Sequence, residues 1–108
     1  MYVLSCNAQP CSQLPLHFES YSQAISLIRK SSFSIIESTN TSGSSWISSA
    51  NYYSCDGTTG YFVLKTNNGN EYIHKGVSIK VWKEFKNASS KGAFYNTYLK
   101  KRYQLYIN

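Results

Sequence analysis

A chain of 108 residues of which 42% are hydrophobic reads as one domain with one core, and that composition argues against disorder. No apolar run approaches the roughly 20 residues a bilayer span needs, and no signal-peptide pattern is visible, so the expectation is a cytoplasmic chain with no membrane partner. The net charge is +6. It is uneven: residues 1–40 balance Arg29 and Lys30 against Glu19 and Glu37, whereas residues 75–102 hold eight basic residues against one acid, Glu84. Such asymmetry points to an anionic partner.

Residues 2–5 open as a strand, and residues 7–15, with two prolines, read as loop. Residues 20–31 carry Tyr21, Ala24, Ile25, Leu27 and Ile28 at near-helical spacing. Phe33, Ile35 and Ile36 alternate with serines as in a strand. Residues 38–45, rich in Ser, Thr and Asn, read as a hinge between an N-terminal extension (residues 1–43) and a C-terminal module (residues 44–108). From there strands are predicted at residues 46–54, 61–66 and 71–75. Turns at residues 56–60 and 67–70 join them into an antiparallel meander, and Gly76 ends the last strand. Ser78 is a candidate N-cap for a helix over residues 79–88. There Ile79, Trp82 and Phe85 form a core stripe beside Lys80, Lys83 and Lys86. Ser90 caps a second helix, residues 91–101, that buries Phe94, Tyr95, Tyr98 and Leu99. The fold class is therefore α+β: an antiparallel meander packed against two C-terminal helices, with an N-terminal strand–helix–strand extension.

Three cysteines, Cys6, Cys11 and Cys55, form an odd set. A Cys6–Cys11 bridge is open in an oxidising compartment, but free buried thiols are the expectation. With His17 and His74 they match no zinc spacing, so neither metal nor cofactor is expected.

Within the C-terminal module, Tyr72 and His74 on a strand are followed by Gly76-Val77 and Val81-Trp82. Then come Ala88-x-Ser90-x-Gly92-x-Phe94-Tyr95-Asn96, Leu99 and Arg102-Tyr103. This order resembles the KTSC domain over about residues 44–106. His74 stands where that family usually has a second Tyr, and Ser78 where it often has Pro. The resemblance implies the same strand–helix–helix layout. It implies a module found at the C-terminus of some bacterial lysyl-tRNA synthetases and alone in small bacterial and phage proteins, for which RNA binding has been suggested.

The candidate ligand-binding residues are Lys75, Lys80, Lys83, Lys91, Lys100, Lys101 and Arg102, which would neutralise phosphates. Tyr72 is added for base stacking, with Tyr103 as a second stacking aromatic. Gly92 with Ser90 and Lys91 forms a helix start open to a phosphate, against the plainer reading of an ordinary cap followed by a glycine needed where two helices cross. Asn96 reads as an internal strut to the hairpin backbone, ahead of a ligand contact. His74 is included as a ligand-binding candidate beside Lys75, against the plainer reading of a packed or surface residue; as a general base it lacks a nucleophile or paired carboxylate nearby in sequence, so no catalysis is expected. The reading is a small non-enzymatic module for RNA, single-stranded nucleic acid or a nucleotide. The alternative is a phage or mobile-element anti-defence protein that binds a protein target or sequesters a nucleotide. A second copy of the chain is a further candidate partner.

Overall fold

The computed structural model describes residues 10–15, 17–100, 102 and 103. The strand expected at residues 2–5, Cys6 and Lys101 lie outside them. Four strands, β1 (Ile35–Ser38), β2 (Ile47–Ser54), β3 (Thr59–Thr66) and β4 (Glu71–Ser78), pair antiparallel in the order β1-β2-β3-β4. The α+β reading holds, and the meander gains a strand, because residues 35–38 pair with the end of β2 in the register Ile35↔Ser54 to Ser38↔Asn51.

Successive side chains of a strand point to opposite faces. In β3, Phe62, Val63 and Leu64 are consecutive and all three are buried, so both faces need a cover. One cover is helical. Helix α2 (Ile79–Asn87) starts at Ser78, whose Oγ accepts the Val81 N–H at 3.2 Å. Helix α3 (Lys91–Phe94) starts at Ser90, whose Oγ accepts the Ala93 N–H at 3.2 Å, and runs on into a π-helical turn, Tyr95–Leu99. Trp82, Phe85, Tyr95 and Leu99 bury themselves there against Tyr52, Phe62, Leu64 and Val77. The second cover is helix α1 (Tyr21–Lys30), capped by Ser20 Oγ on the Gln23 N–H. Its Ala24 and Ile28, with Phe18 from the preceding loop, pack on Tyr53, Val63 and Ile73. Arg29 pairs with Glu71 of β4 at 2.5 Å.

Two glycines shape the sheet. Gly76 does not end β4, as its sequence suggested. It takes φ 73° inside the strand, and Lys75 and Gly76 together stand opposite Tyr61 alone, between the pairs Phe62↔His74 and Gly60↔Val77. This is a bulge that needs a residue at ease with positive φ. The extra residue reverses the facing of the rest of the strand, so Val77 joins the helical-side core and its carbonyl accepts the Tyr52 hydroxyl at 2.7 Å. Gly60 is required by space. A Cβ there would stand 2.2 Å from the Tyr53 carbonyl oxygen.

The supposed hinge is an ordered loop. Thr41 is buried and its Oγ1 donates to the Ser48 carbonyl, while Ser44 Oγ accepts the Ile47 N–H. Short polar side chains here bond local backbone, the same tendency that disfavours them inside helices. The cysteine expectation is corrected. Cys11, in a 3-10 turn (Cys11–Gln13), is joined by a disulfide to Cys55 across a sequence separation of 44. Neither free thiols at these positions nor a Cys6–Cys11 bridge describes the chain. Among the described residues, no helix is long and apolar enough to cross a membrane, and no group of three or more His, Cys, Asp or Glu could hold a metal ion.

Gly60→Ala is expected to destabilise the fold by about 3 kcal/mol or more in urea unfolding, because backbone must move to admit the methyl. Gly43, with nothing within 4 Å of an added Cβ, is the control, and Gly43→Ala is expected to change stability by less than about 0.5 kcal/mol.

Candidate nucleic-acid interface

The outward positions of α2 are Lys80, Lys83, Glu84 and Asn87, all exposed, because Trp82 and Phe85 turn toward the sheet. Lys86 is committed. Its Nζ lies 2.8 Å from Glu37 Oε1 and 5.8 Å from the Trp82 ring centre. Glu37 also accepts the Trp82 Nε1–H at 2.7 Å. The Lys86 ammonium, then the indole N–H, hold the Glu37 carboxyl below its usual range. Lys91 is committed as well, its Nζ donating to the Lys86 carbonyl at 3.0 Å, where cations complement a helix C-terminus.

Lys75 lies on the other side of the sheet. It lines a cleft of about 220 Å³ with Phe33, Tyr53, Tyr61 and the Cys11–Cys55 bridge. Lys100 and Arg102 are exposed at the end of the helical layer. The candidate cations therefore do not converge on one groove. Lys80, Lys83, Lys100 and Arg102 share the helical layer, Lys75 faces the N-terminal layer, and Lys86 and Lys91 hold the fold together.

The aromatics divide in the same way. Tyr72 is 41% exposed on the edge strand β4. Tyr103 is partly buried against the core, and its carbonyl accepts the Lys75 N–H at 2.7 Å. Tyr98, expected in the core, is 49% exposed and rests on Phe94 with ring centres 4.7 Å apart. The reason is the π turn. The Lys100 N–H bonds the Tyr95 carbonyl, five residues back, and this wider winding stacks Leu99 over Tyr95 and swings Tyr98 outward.

His74 and Gly92 are not surface residues. His74 is 2% exposed, on the helical side of β4, with Nε2 2.8 Å from the Tyr95 hydroxyl. Burial pushes its pKa down to about 4 and that of Tyr95 up to about 12, so both are neutral at pH 7. Its Nδ1 is buried without a hydrogen-bond partner among the described residues. A group so enclosed reaches no solvent-borne ligand. Gly92 is buried because an indole lies on it: a Cβ there would stand 2.5 Å from Trp46 Nε1. The close-packing reading of Gly92 holds, with Trp46 as the neighbour instead of a second helix.

That contact builds one wall of a cleft the sequence did not reveal. About 460 Å³ in volume, it lies between the loop before β2 and the start of α3 and is lined by Asn40, Ser44, Trp46, Ser90, Lys91 and Asn96, among others. Asn96 is exposed and faces this cleft, not the hairpin backbone, so the strut reading is corrected. The available signal was its poor helix propensity in mid-helix. An indole beside hydroxyls and two carboxamides, Asn40 and Asn96, offers a stacking surface and paired donor and acceptor groups, the features that hold an unpaired base.

His74 has a consequence for stability. Its folded pKa, about 4, lies below the roughly 6.5 of an unfolded His, so between these values the unfolded chain binds more protons. The contribution is complete above about pH 7 and is lost as pH falls toward 4, amounting to roughly 3 kcal/mol. Acid unfolding followed by tryptophan fluorescence is expected to show this loss. His74→Gln, which keeps a polar group beside Tyr95 and does not titrate, is expected to flatten the profile between pH 7 and 4.

No curated protein and no solved structure matches the chain. The description of the KTSC domain matches residues 44–103. That span holds β2 to β4, the bulge at Gly76, both capped helices, and the Trp46–Gly92 contact; of the cleft it holds all but the wall at Asn40 and Gly43. The match covers more than half of the chain, and the chain belongs to the KTSC domain family.

Proposed function

We propose that this chain is a binding module, not an enzyme, and that it holds single-stranded nucleic acid across its helical layer. The strand would lie over Lys80, Lys83, Lys100 and Arg102, stack on Tyr98, and seat one base in the cleft beside Trp46. One observation carries the reading. Once Lys86 and Lys91 are set aside for their internal partners, the exposed cations of the C-terminal segment fall on the layer that also exposes Tyr98. The cleft lies at the start of α3, at the margin of that layer.

Dispersed lysines suit an extended polyanion better than a single nucleotide, because each neutralises one phosphate and releases its counterion. An exposed aromatic adds stacking, which any base satisfies. Lys75, on the far face, lies outside this path.

Anisotropy of a labelled single-stranded RNA tests it. Four phosphate contacts are expected to give a log–log salt slope near −3, about −0.7 per contact for single strands. Lys80→Glu with Lys83→Glu is expected to weaken binding and lower that slope by about 1.4. Absence of binding at low salt, or a flat salt response, contradicts the reading. Capture of one protein target, insensitive to nuclease, would instead support a protein-interaction role.

A further inference from the structure

We propose that Cys11 and Cys55 are a reversible thiol–disulfide pair that locks the N-terminal layer onto the second face of the sheet. The bridge joins two parts of the fold with separate covers. Cys11 belongs to the segment leading to Phe18 and α1, and Cys55 to the turn that closes β2.

Both cysteines are half-buried, and both line the cleft of about 220 Å³ beneath Phe33 and Tyr61. A small thiol therefore reaches the sulfurs without prior unfolding. The residues on either side are held by one short segment. The Cys11 N–H donates to the Ser32 carbonyl at 3.0 Å, and Ser34 Oγ donates to the Cys55 carbonyl at 2.7 Å. These bonds do not involve sulfur, so whenever the reduced layer is closed they set the two thiols side by side for reoxidation to the same pairing.

Beyond the bridge, the layer is held by the smaller of the two cores, where Leu14, Tyr21, Ile25, Leu27 and Phe33 pack half-buried around Phe18, Ala24 and Ile28, and by the Arg29–Glu71 ion pair, whose arginine is exposed. Exposed ion pairs contribute little. Opening this layer uncovers Tyr53, Val63 and Ile73 and leaves the helical side, where ligand is proposed to bind, intact.

The chemistry balances as exchange. A glutathione thiolate attacks one sulfur of the bridge and expels the other cysteine as thiolate. A second glutathione releases the mixed disulfide, giving two cysteine thiols and glutathione disulfide, with protons taken up by the leaving thiolates. Glutathione disulfide is the oxidant of the reverse reaction. A pair with this behaviour has a place in a reducing compartment, where a permanent staple does not.

The full chain carrying Cys6→Ser, which removes the third thiol from exchange, is equilibrated with glutathione and glutathione disulfide at pH 7.5 without denaturant. Mass spectrometry reads the thiol state, and amide hydrogen exchange reads the layer. The expected result is complete reduction at millimolar glutathione, return of the Cys11–Cys55 linkage on adding glutathione disulfide, and exchange faster by about tenfold or more in residues 10–34, with smaller change in α2 and α3. A bridge that resists reduction until urea is added is a structural staple and overturns the proposal. So does reduction that leaves exchange in residues 10–34 unchanged.

Discussion

The central strand β3 presents Phe62 and Leu64 to one side and Val63 to the other, all within 2% of complete burial. A sheet apolar on both faces buries both only between two covers, and the architecture meets that need. The helical hairpin after β4 supplies one cover. Residues 10–34, with Phe18 and α1, supply the other. The family-matched span, residues 44–103, contains the first cover and not the second, so the N-terminal segment completes the sandwich of this chain. With both faces filled, a ligand is left the outside of the covers and the clefts at their margins.

Capping sets the helical cover in place. Ser78 starts α2, Ser90 starts α3 after a three-residue connection, and Lys91 reaches back to the Lys86 carbonyl near the end of α2. Glu37 ties the edge strand β1 to α2 through both Trp82 and Lys86. These bonds consume two of the eight cations in the basic segment, and their removal from the tally defines the surface that remains.

Much of the fold was legible in local pattern. The strand–turn–strand run from Trp46 to Gly76, the caps at Ser78 and Ser90 and the stripe of Ile79, Trp82 and Phe85 all depend on neighbours within a few positions. The features that escaped depend on partners far apart in the chain. Lys86 and Glu37 stand 49 residues apart and Cys11 and Cys55 stand 44 apart, and no spacing rule connects them. Gly76 gave a true signal with an ambiguous meaning, since glycine ends strands and also builds bulges. Tyr98 was placed in the core by counting at 3.6 residues per turn, and the π winding changes that count. His74 read equally as a packed or a surface residue, because alternation along β4 leaves its face undecided until the helices are docked. The cleft beside Trp46 arises from a loop and a helix start that meet only in three dimensions.

The charge of the chain thus has two uses, in the fold and on a surface, and the proposed function concerns the second. Its structural core is the cleft at Trp46. The chain has two tryptophans, and they are placed as probe and reference: Trp46 lines the cleft, whereas Trp82 is fully buried with its Nε1–H bonded to Glu37. The decisive measurement is a titration of the full chain with an unstructured oligouridine, read at the two indole N–H resonances. A base seated in the cleft requires the Trp46 signal to shift in step with binding while that of Trp82 stays in place. Saturation of binding with the Trp46 signal unmoved would contradict it.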